Sequence, residues 1–298
     1  MPPESVPVAR PRLDKIQVVA NLAAGSVGPD AADQLAAVMS EFASTVTINT
    51  PEPADLRACL RSAIDTGPDL LVVLAGDGTA RAAAELCGPD GPLLAPLPGG
   101  TMNMLSHAVY GIRPWADALR DALNVGEERM IGGGEVEGHR FLCAAILGSS
   151  ALWGPAREAV RKGKIRLALT RAQRAMQRAF TGRLRYALDG GAIEKTGTLI
   201  LMCPIASRAL DEDAQTLEVA ALQVEHAGVA LRLGATALMG DWRQDPSVET
   251  RDCRFARIFS PQAIPAILDG EIVSLGRLTE VRYEPRVVRV LAPPRTIK

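Results

Sequence analysis

Up to about residue 130, short apolar runs of β type alternate with stretches of helical periodicity. Lys15–Ala20, Thr45–Ile48, Asp69–Leu74 and Leu93–Leu97 read as strands, with Asp30–Phe42, Ala54–Ile64 and Ala80–Cys87 as the helices between them. Strands separated by helices build a parallel, doubly wound sheet, because each helix carries the chain back to the edge where the next strand starts. Leu70–Leu74 is apolar without alternation, as a central strand covered on both faces must be.

After Gly132, Gly133 and Gly134 the texture changes. Phe141–Leu147, Gly197–Met202, Leu217–Val224 and Val287–Leu291 follow one another with few intervening helices and read as a mostly antiparallel β domain. The expected fold is therefore α/β plus β. A nucleotide-type α/β domain over 1–131 precedes a β-sandwich domain over 132–298, with the last strand able to return to the first domain. The exception is 151–180, whose second half is rich in Ala, Leu, Arg and Gln and reads as helix from about Ile165.

Composition narrows the class. With 47% apolar and 22% charged residues in 298, the chain is expected to fold, and its length suits two domains. The net charge of −1 gives no global pull toward nucleic acid, so no nucleic-acid partner is expected. Five scattered cysteines without a C-x-x-C pair speak against a disulfide framework or zinc site and fit a reducing cytoplasm. Met1–Asp14 has no apolar run of signal length, and no later stretch reaches the ~18 apolar residues of a membrane span. The expectation is a cytoplasmic protein that meets a membrane only from the cytosolic side.

Chemistry concentrates in two turns. Ala75-Gly76-Asp77-Gly78-Thr79 lies where the buried strand ends and an alanine-rich helix begins, the edge at which open α/β sheets bind ligands. Glycines let the backbone approach a phosphate, a helix start directs N–H groups at it, and Asp77 offers a carboxylate for Mg²⁺. One strand later, Pro98-Gly99-Gly100-Thr101-Met102-Asn103 again ends in glycines, a hydroxyl and an amide before a helix. Either segment alone also reads as a plain turn, with Thr79 or Thr101 as helix cap. Two at successive strand ends can line one phosphate crevice.

At these residues the chain resembles the diacylglycerol kinase catalytic-domain family, which includes sphingosine and ceramide kinases and bacterial lipid kinases. Ala75–Thr79 resembles its G-G-D-G-T turn with Ala75 for the first glycine, and Gly99–Asn103 its later P-x-G-T-x-N segment. Asn21–Gly25 is similar to the nucleotide turn N-P-x-S-G, Thr50 stands where a threonine is common, and Asp269-Gly270-Glu271 matches the D-G-E element. The resemblance implies ATP and Mg²⁺ as cofactors, with Asn21, Gly25, Thr50, Gly76, Asp77, Gly78, Thr79, Gly99, Gly100, Thr101 and Asn103 at the nucleotide. Asp77 would organise the metal, Glu271 or Asp269 would accept the proton of a lipid hydroxyl, and the β domain would take the lipid. Taken alone, 269–271 reads as a surface hairpin turn. Further departures from the family are Met104 after Asn103, where some bacterial members have aspartate, Gly132 at the approximate position of an aspartate of the better-known bacterial enzymes, and 211–217 in place of D-D-G-x-L. No Walker A lysine is present, as in the family.

From Arg157 to Arg185 ten Lys or Arg face one acid, Glu158, a local balance of +9. Leu167, Leu169, Met176 and Phe180 could give that segment an apolar face, so it reads either as a basic helix docking on an anionic membrane or as a solvated face packed on the β domain. His107, His139 and His226 lack metal-ligand spacing. An NAD-kinase-like enzyme, which shares the G-G-D-G-T turn, and a nucleotide- or lipid-binding protein without transfer activity are the competing readings.

Overall fold

A computed structural model describes residues 10–28, 30–42, 44–153, 184–222, 243 and 248–294. The helix expected from about Ile165 and the basic run from Arg157 lie outside these residues, except for Arg185. The chain divides into two compact units, Met1–Ile131 with Arg286–Lys298, and Gly132–Pro285.

The elements run β1 (Lys15–Ala20), α1 (Ala31–Met39), β2 (Thr45–Asn49), α2 (Leu56–Asp65), β3 (Leu70–Ala75), α3 (Asp77–Cys87), β4 (Leu93–Pro98), α4 (Met104–Tyr110), α5 (Trp115–Val125) and β5 (Glu127–Val136). They continue β6 (His139–Phe141), β7 (Ala144–Gly148), β8 (Leu184–Leu188), β9 (Glu194–Thr196), β10 (Thr198–Met202), β11 (Leu217–Leu222) and β12 (Val248–Cys253). The last are β13 (Phe255–Phe259), β14 (Ile264–Leu268), β15 (Glu271–Leu275) and the long β16 (Leu278–Ala292).

In the first unit the strands lie in the order β2-β1-β3-β4, all parallel, and the end of β16 pairs parallel to β4 at Val290 and Leu94. Every residue of β3 and β4 is buried, as their unbroken apolar runs require, whereas β2, at the sheet's edge, has the mixed sequence TVTIN. Helix α3 packs through the small side chains of Ala80, Ala83 and Ala84, which let it lie close to the sheet. The chain goes from β1 outward to β2, then returns past β1 to β3. The loops after β1 and β3 therefore leave in opposite directions and open a crevice at the carboxyl edge.

In the second unit one sheet runs β12-β11-β10-β7-β14-β15 and the other β16-β13-β8-β9, with antiparallel pairing throughout both. Their inner faces share one core: Phe141, Tyr186 and Ile258 from one side meet Leu147, Leu201 and Val219 from the other. This is the antiparallel β-sandwich expected from runs of β type with few intervening helices. The run Phe141–Leu147, however, is not one strand. It breaks after Phe141, because the N–H groups of Leu142, Cys143 and Ala144 turn to the carboxylate of Asp269. Among the described residues no helix is long and apolar enough to cross a membrane.

Candidate functional site

Three turns meet at the carboxyl edge of the first unit's sheet. The turn after β1 begins at Asn21, whose N–H donates to the Leu74 carbonyl at 2.9 Å and whose Oδ1 accepts the Ala23 N–H at 3.1 Å. It is tied to the turn after β4 by Ser26, whose N–H donates to the Gly99 carbonyl at 3.1 Å and whose hydroxyl donates to that of Gly100 at 3.0 Å. The turn after β4 is tied in turn to β3 through Gly99 N–H and the Ala75 carbonyl, 3.0 Å.

Glycine is required where these turns touch. A Cβ on Gly100 would lie 2.6 Å from the Cα of Gly76, and one on Gly99 would lie 2.7 Å from Val27 Cγ2 and 2.8 Å from the Ala75 nitrogen. A Cβ on Gly25 would stand only 3.5 Å from Thr101 Oγ1, which places Gly25 and Thr101 side by side. Gly76 caps α3 in an extended conformation, and its carbonyl accepts the N–H groups of Thr79 and Ala80. The N–H groups of Asp77 and Gly78, first in the helix, have no acceptor within it and carry the positive end of its dipole. Thr50 follows β2 at the same edge and is exposed.

Asp77 and Asn103 lock the arrangement. Both oxygens of the Asp77 carboxylate accept backbone N–H groups, from Asn103 at 2.9 Å and from Met104 at 2.5 Å, so this side chain caps the start of α4. Asn103, buried with φ 52° and ψ 40°, accepts the Gly100 N–H on Oδ1 at 2.6 Å and donates from Nδ2 to the Gly100 carbonyl at 3.1 Å. Asparagine tolerates this left-handed conformation better than most residues. Thus Gly76, Asp77, Gly78, Thr79, Gly99, Gly100, Thr101 and Asn103, with Asn21 and Gly25, are brought together in one unit.

Asp269 and Glu271 belong to the second unit. Asp269 and Gly270 form the two-residue turn between β14 and β15, both at positive φ (45° and 87°), as an Asp-Gly hairpin turn demands. The Asp269 carboxylate is buried and accepts three N–H groups, from Leu142 at 2.6 Å, Ala144 at 2.8 Å and Cys143 at 2.9 Å. It works as the clasp of the β6–β7 break. Burial, and then the Asp269 charge, push the Cys203 thiol well above its ordinary range. Glu271 opens β15 and is exposed.

Two features escaped the sequence. A Cβ on Gly132 would lie 2.1 Å from Tyr283 Oη, whose hydroxyl donates to the Ala214 carbonyl at 3.0 Å. Tyr283 therefore fills the space beside Gly132, where the resemblance led one to expect an aspartate. Glu218, just past the altered 211–217 element, is buried and paired with Arg243 and the Ser207 hydroxyl. A charged residue inside the otherwise apolar LEVAAL was its visible sign.

The residues fit a nucleotide phosphate better than a protein-built metal cage. Among the described residues no group of three His, Cys, Asp or Glu could hold a metal. Mg²⁺ on phosphates needs only one or two carboxylates, with phosphate oxygens and water completing its shell. Asp77 is the carboxylate in these turns, and each of its oxygens keeps a lone pair beyond the N–H it accepts.

Residues 15–134 match the family model of the diacylglycerol kinase catalytic domain. The resemblance read from the two glycine turns is borne out over that span. No curated protein matches the chain in sequence. Two solved structures assigned as diacylglycerol kinases, both from Bacillus anthracis str. Sterne, share the fold. One has a TM-score of 0.70 at 18% identity, covering 96% of this chain and 99% of its own. The other has a TM-score of 0.67 at 14% identity over the same shares.

Proposed function

We propose that this chain, whose residues 15–134 match the diacylglycerol kinase catalytic domain, is an ATP-dependent lipid kinase that moves the γ-phosphoryl group to the hydroxyl of diacylglycerol or a sphingoid base. The observation that carries this reading is the interlocked set of turns at the switch point, joined by Gly100 against Gly76 and by Asp77 across to Asn103 and Met104. It supports a phosphate cradle made of backbone, which needs no lysine. The N–H groups of Asp77 and Gly78 meet the phosphates at the N-terminus of α3, and the hydroxyls of Thr79 and Thr101 add donors. Asp77 would hold Mg²⁺, which when bound neutralises the oxygens of the transferring group.

Glu271 takes the remaining role. It accepts the proton of the attacking lipid hydroxyl. Asp269, with its two oxygens committed to three N–H groups, positions the hairpin from which Glu271 starts rather than acting as base.

Replacing Glu271 by Gln keeps shape and removes the base. ATP affinity by calorimetry should hold, while labelled-phosphate transfer to diacylglycerol or sphingosine should fall by roughly 10²- to 10⁴-fold. The parallel Asp269→Asn protein should instead melt earlier. Wild-type turnover in Glu271→Gln would remove that residue from the reaction, and a wild-type chain that binds Mg-ATP yet labels no lipid would be a binding protein only.

A further inference from the structure

We infer that the outward face of the β16-β13-β8-β9 sheet is a docking platform for an anionic lipid bilayer. The choice of partner rests on the lipid-kinase reading; the surface itself rests on strand alternation. In β13, Ala256 and Ile258 enter the core, so Phe255, Arg257 and Phe259 face outward. In β16, Thr279 and Val281 are buried, which turns Leu278, Glu280 and Arg282 out. Arg185 on β8 and Lys195 on β9 are exposed on the same face.

Register then lays these residues in rows. Lys195, Arg185, Phe259 and Leu278 stand side by side across four strands. The next rows hold Arg257 opposite Glu280, and Phe255 opposite Arg282. Within these rows Lys195, Arg185, Arg257 and Arg282 surround Glu280; at the margins Glu284 is paired with Arg140, and the Asp189 carboxylate is taken up by the N–H groups of Arg254 and Phe255. Arg185 and Lys195 form no ion pair among the described residues. The side chains of Arg257 and Arg282 are 49% and 63% exposed although both pair with Glu280, and Leu278 is 57% exposed.

The layout favours a plane over a small ligand. The cations are spread over three strand spacings, about 14 Å at ~4.8 Å each, and do not converge on one point. Apolar Leu278 and Phe259 sit among them, which suits the boundary between headgroups and acyl chains, where cations find phosphates and apolar groups leave water. Nucleic acid fits less well. A phosphate backbone gains nothing from Leu278, and the Phe255 ring is already overlain by the guanidinium groups of Arg257 and Arg282, at 5.7 and 5.6 Å, so it is not open for a base to stack.

The test is sedimentation with vesicles of phosphatidylcholine alone and of an equal mixture with phosphatidylglycerol. Wild type should bind the mixed vesicles and not the neutral ones. Arg185→Gln with Lys195→Gln should lose roughly 25-fold in affinity, at about fivefold per basic residue removed. Leu278→Asp should weaken binding without altering the melting temperature. Transfer to a short-chain, water-soluble diacylglycerol should be unchanged in all of them. If that activity is absent from wild type while the charge variants still lose vesicle binding, the kinase reading fails and the docking surface stands. Unchanged vesicle binding in the double variant, no binding by wild type, or stronger competition by single-stranded DNA than by mixed vesicles would overturn the docking surface.

Discussion

Asp77→Asn is the substitution that best weighs structure against chemistry. The carboxylate accepts two N–H groups, Asn103 at 2.9 Å and Met104 at 2.5 Å. An asparagine there keeps one acceptor and turns an amide NH₂ toward the other donor. A hydrogen bond to a charged group contributes about 1.5–3 kcal/mol, and a donor left without a partner costs about 1–3 kcal/mol where water is excluded. The neighbourhood is only partly buried, so the lower halves of these ranges apply, and a loss of about 2–3 kcal/mol follows. For a protein of 298 residues, at ~2.1 cal/mol/K of unfolding entropy per residue, that lowers the melting temperature by roughly 3–5 °C. The start of α4 and the Gly100 turn held by Asn103 should loosen together, so Mg-ATP should raise the melting temperature less than in wild type. Differential scanning calorimetry with and without Mg-ATP measures both effects. If Asp77→Asn melts with wild type while phosphoryl transfer collapses, the capping argument is wrong and the carboxylate acts through the metal alone.

Two further outcomes follow from packing and burial. Gly132→Asp, which introduces the aspartate that the resemblance led one to expect, should not raise turnover: its Cβ would stand 2.1 Å from Tyr283 Oη, and such overpacking costs about 1–3 kcal/mol, visible as a lower melting temperature that adding Tyr283→Ala partly recovers. Burial pushes the thiols of Cys87 and Cys253 up to about 12 from the ordinary 9.0. Because the folded values are raised, their contribution is intact below pH 9.0 and is lost as pH climbs toward about 12, by about 1.4 kcal/mol per pH unit for each. Urea midpoints across that window should fall in wild type and fall less steeply when both are alanine, the raised Cys203 thiol and the buried Tyr110 and Tyr186 keeping the rest of the slope; a double variant as steep as wild type would contradict the burial argument.

The first unit's strands were legible because Leu70–Ala75 and Leu93–Pro98 are apolar throughout and punctuated by glycine. The central place of Leu70–Leu74 was legible too, because that run is apolar without alternation. What the sequence did not disclose depends on partners far away along the chain. Asp77 reads as a phosphate or metal residue, yet its hydrogen bonds go to residues 26 and 27 positions on. Asp269 reads equally as base or turn, and its three donors lie about 125 positions earlier. Strand β12 was invisible for a different reason. Its outward residues are polar or charged, in VETRDC, so no run of hydrophobicity marks it.

The long strand β16 has a consequence for how the protein comes to exist. Its first residues pair with β13, while Val290 near its end pairs with Leu94 of β4. The first unit is therefore not finished when its own 131 residues have been made; β4 remains an open, wholly apolar edge until Arg286–Ala292 arrive from the far end of the chain. Such an edge is a template for pairing with other chains. Synthesis thus leaves the first unit waiting through the making of the entire sandwich, and the contact that completes it spans nearly two hundred residues. Non-local closure of this kind is slow. The first unit ripens only after the residues of the second have been made.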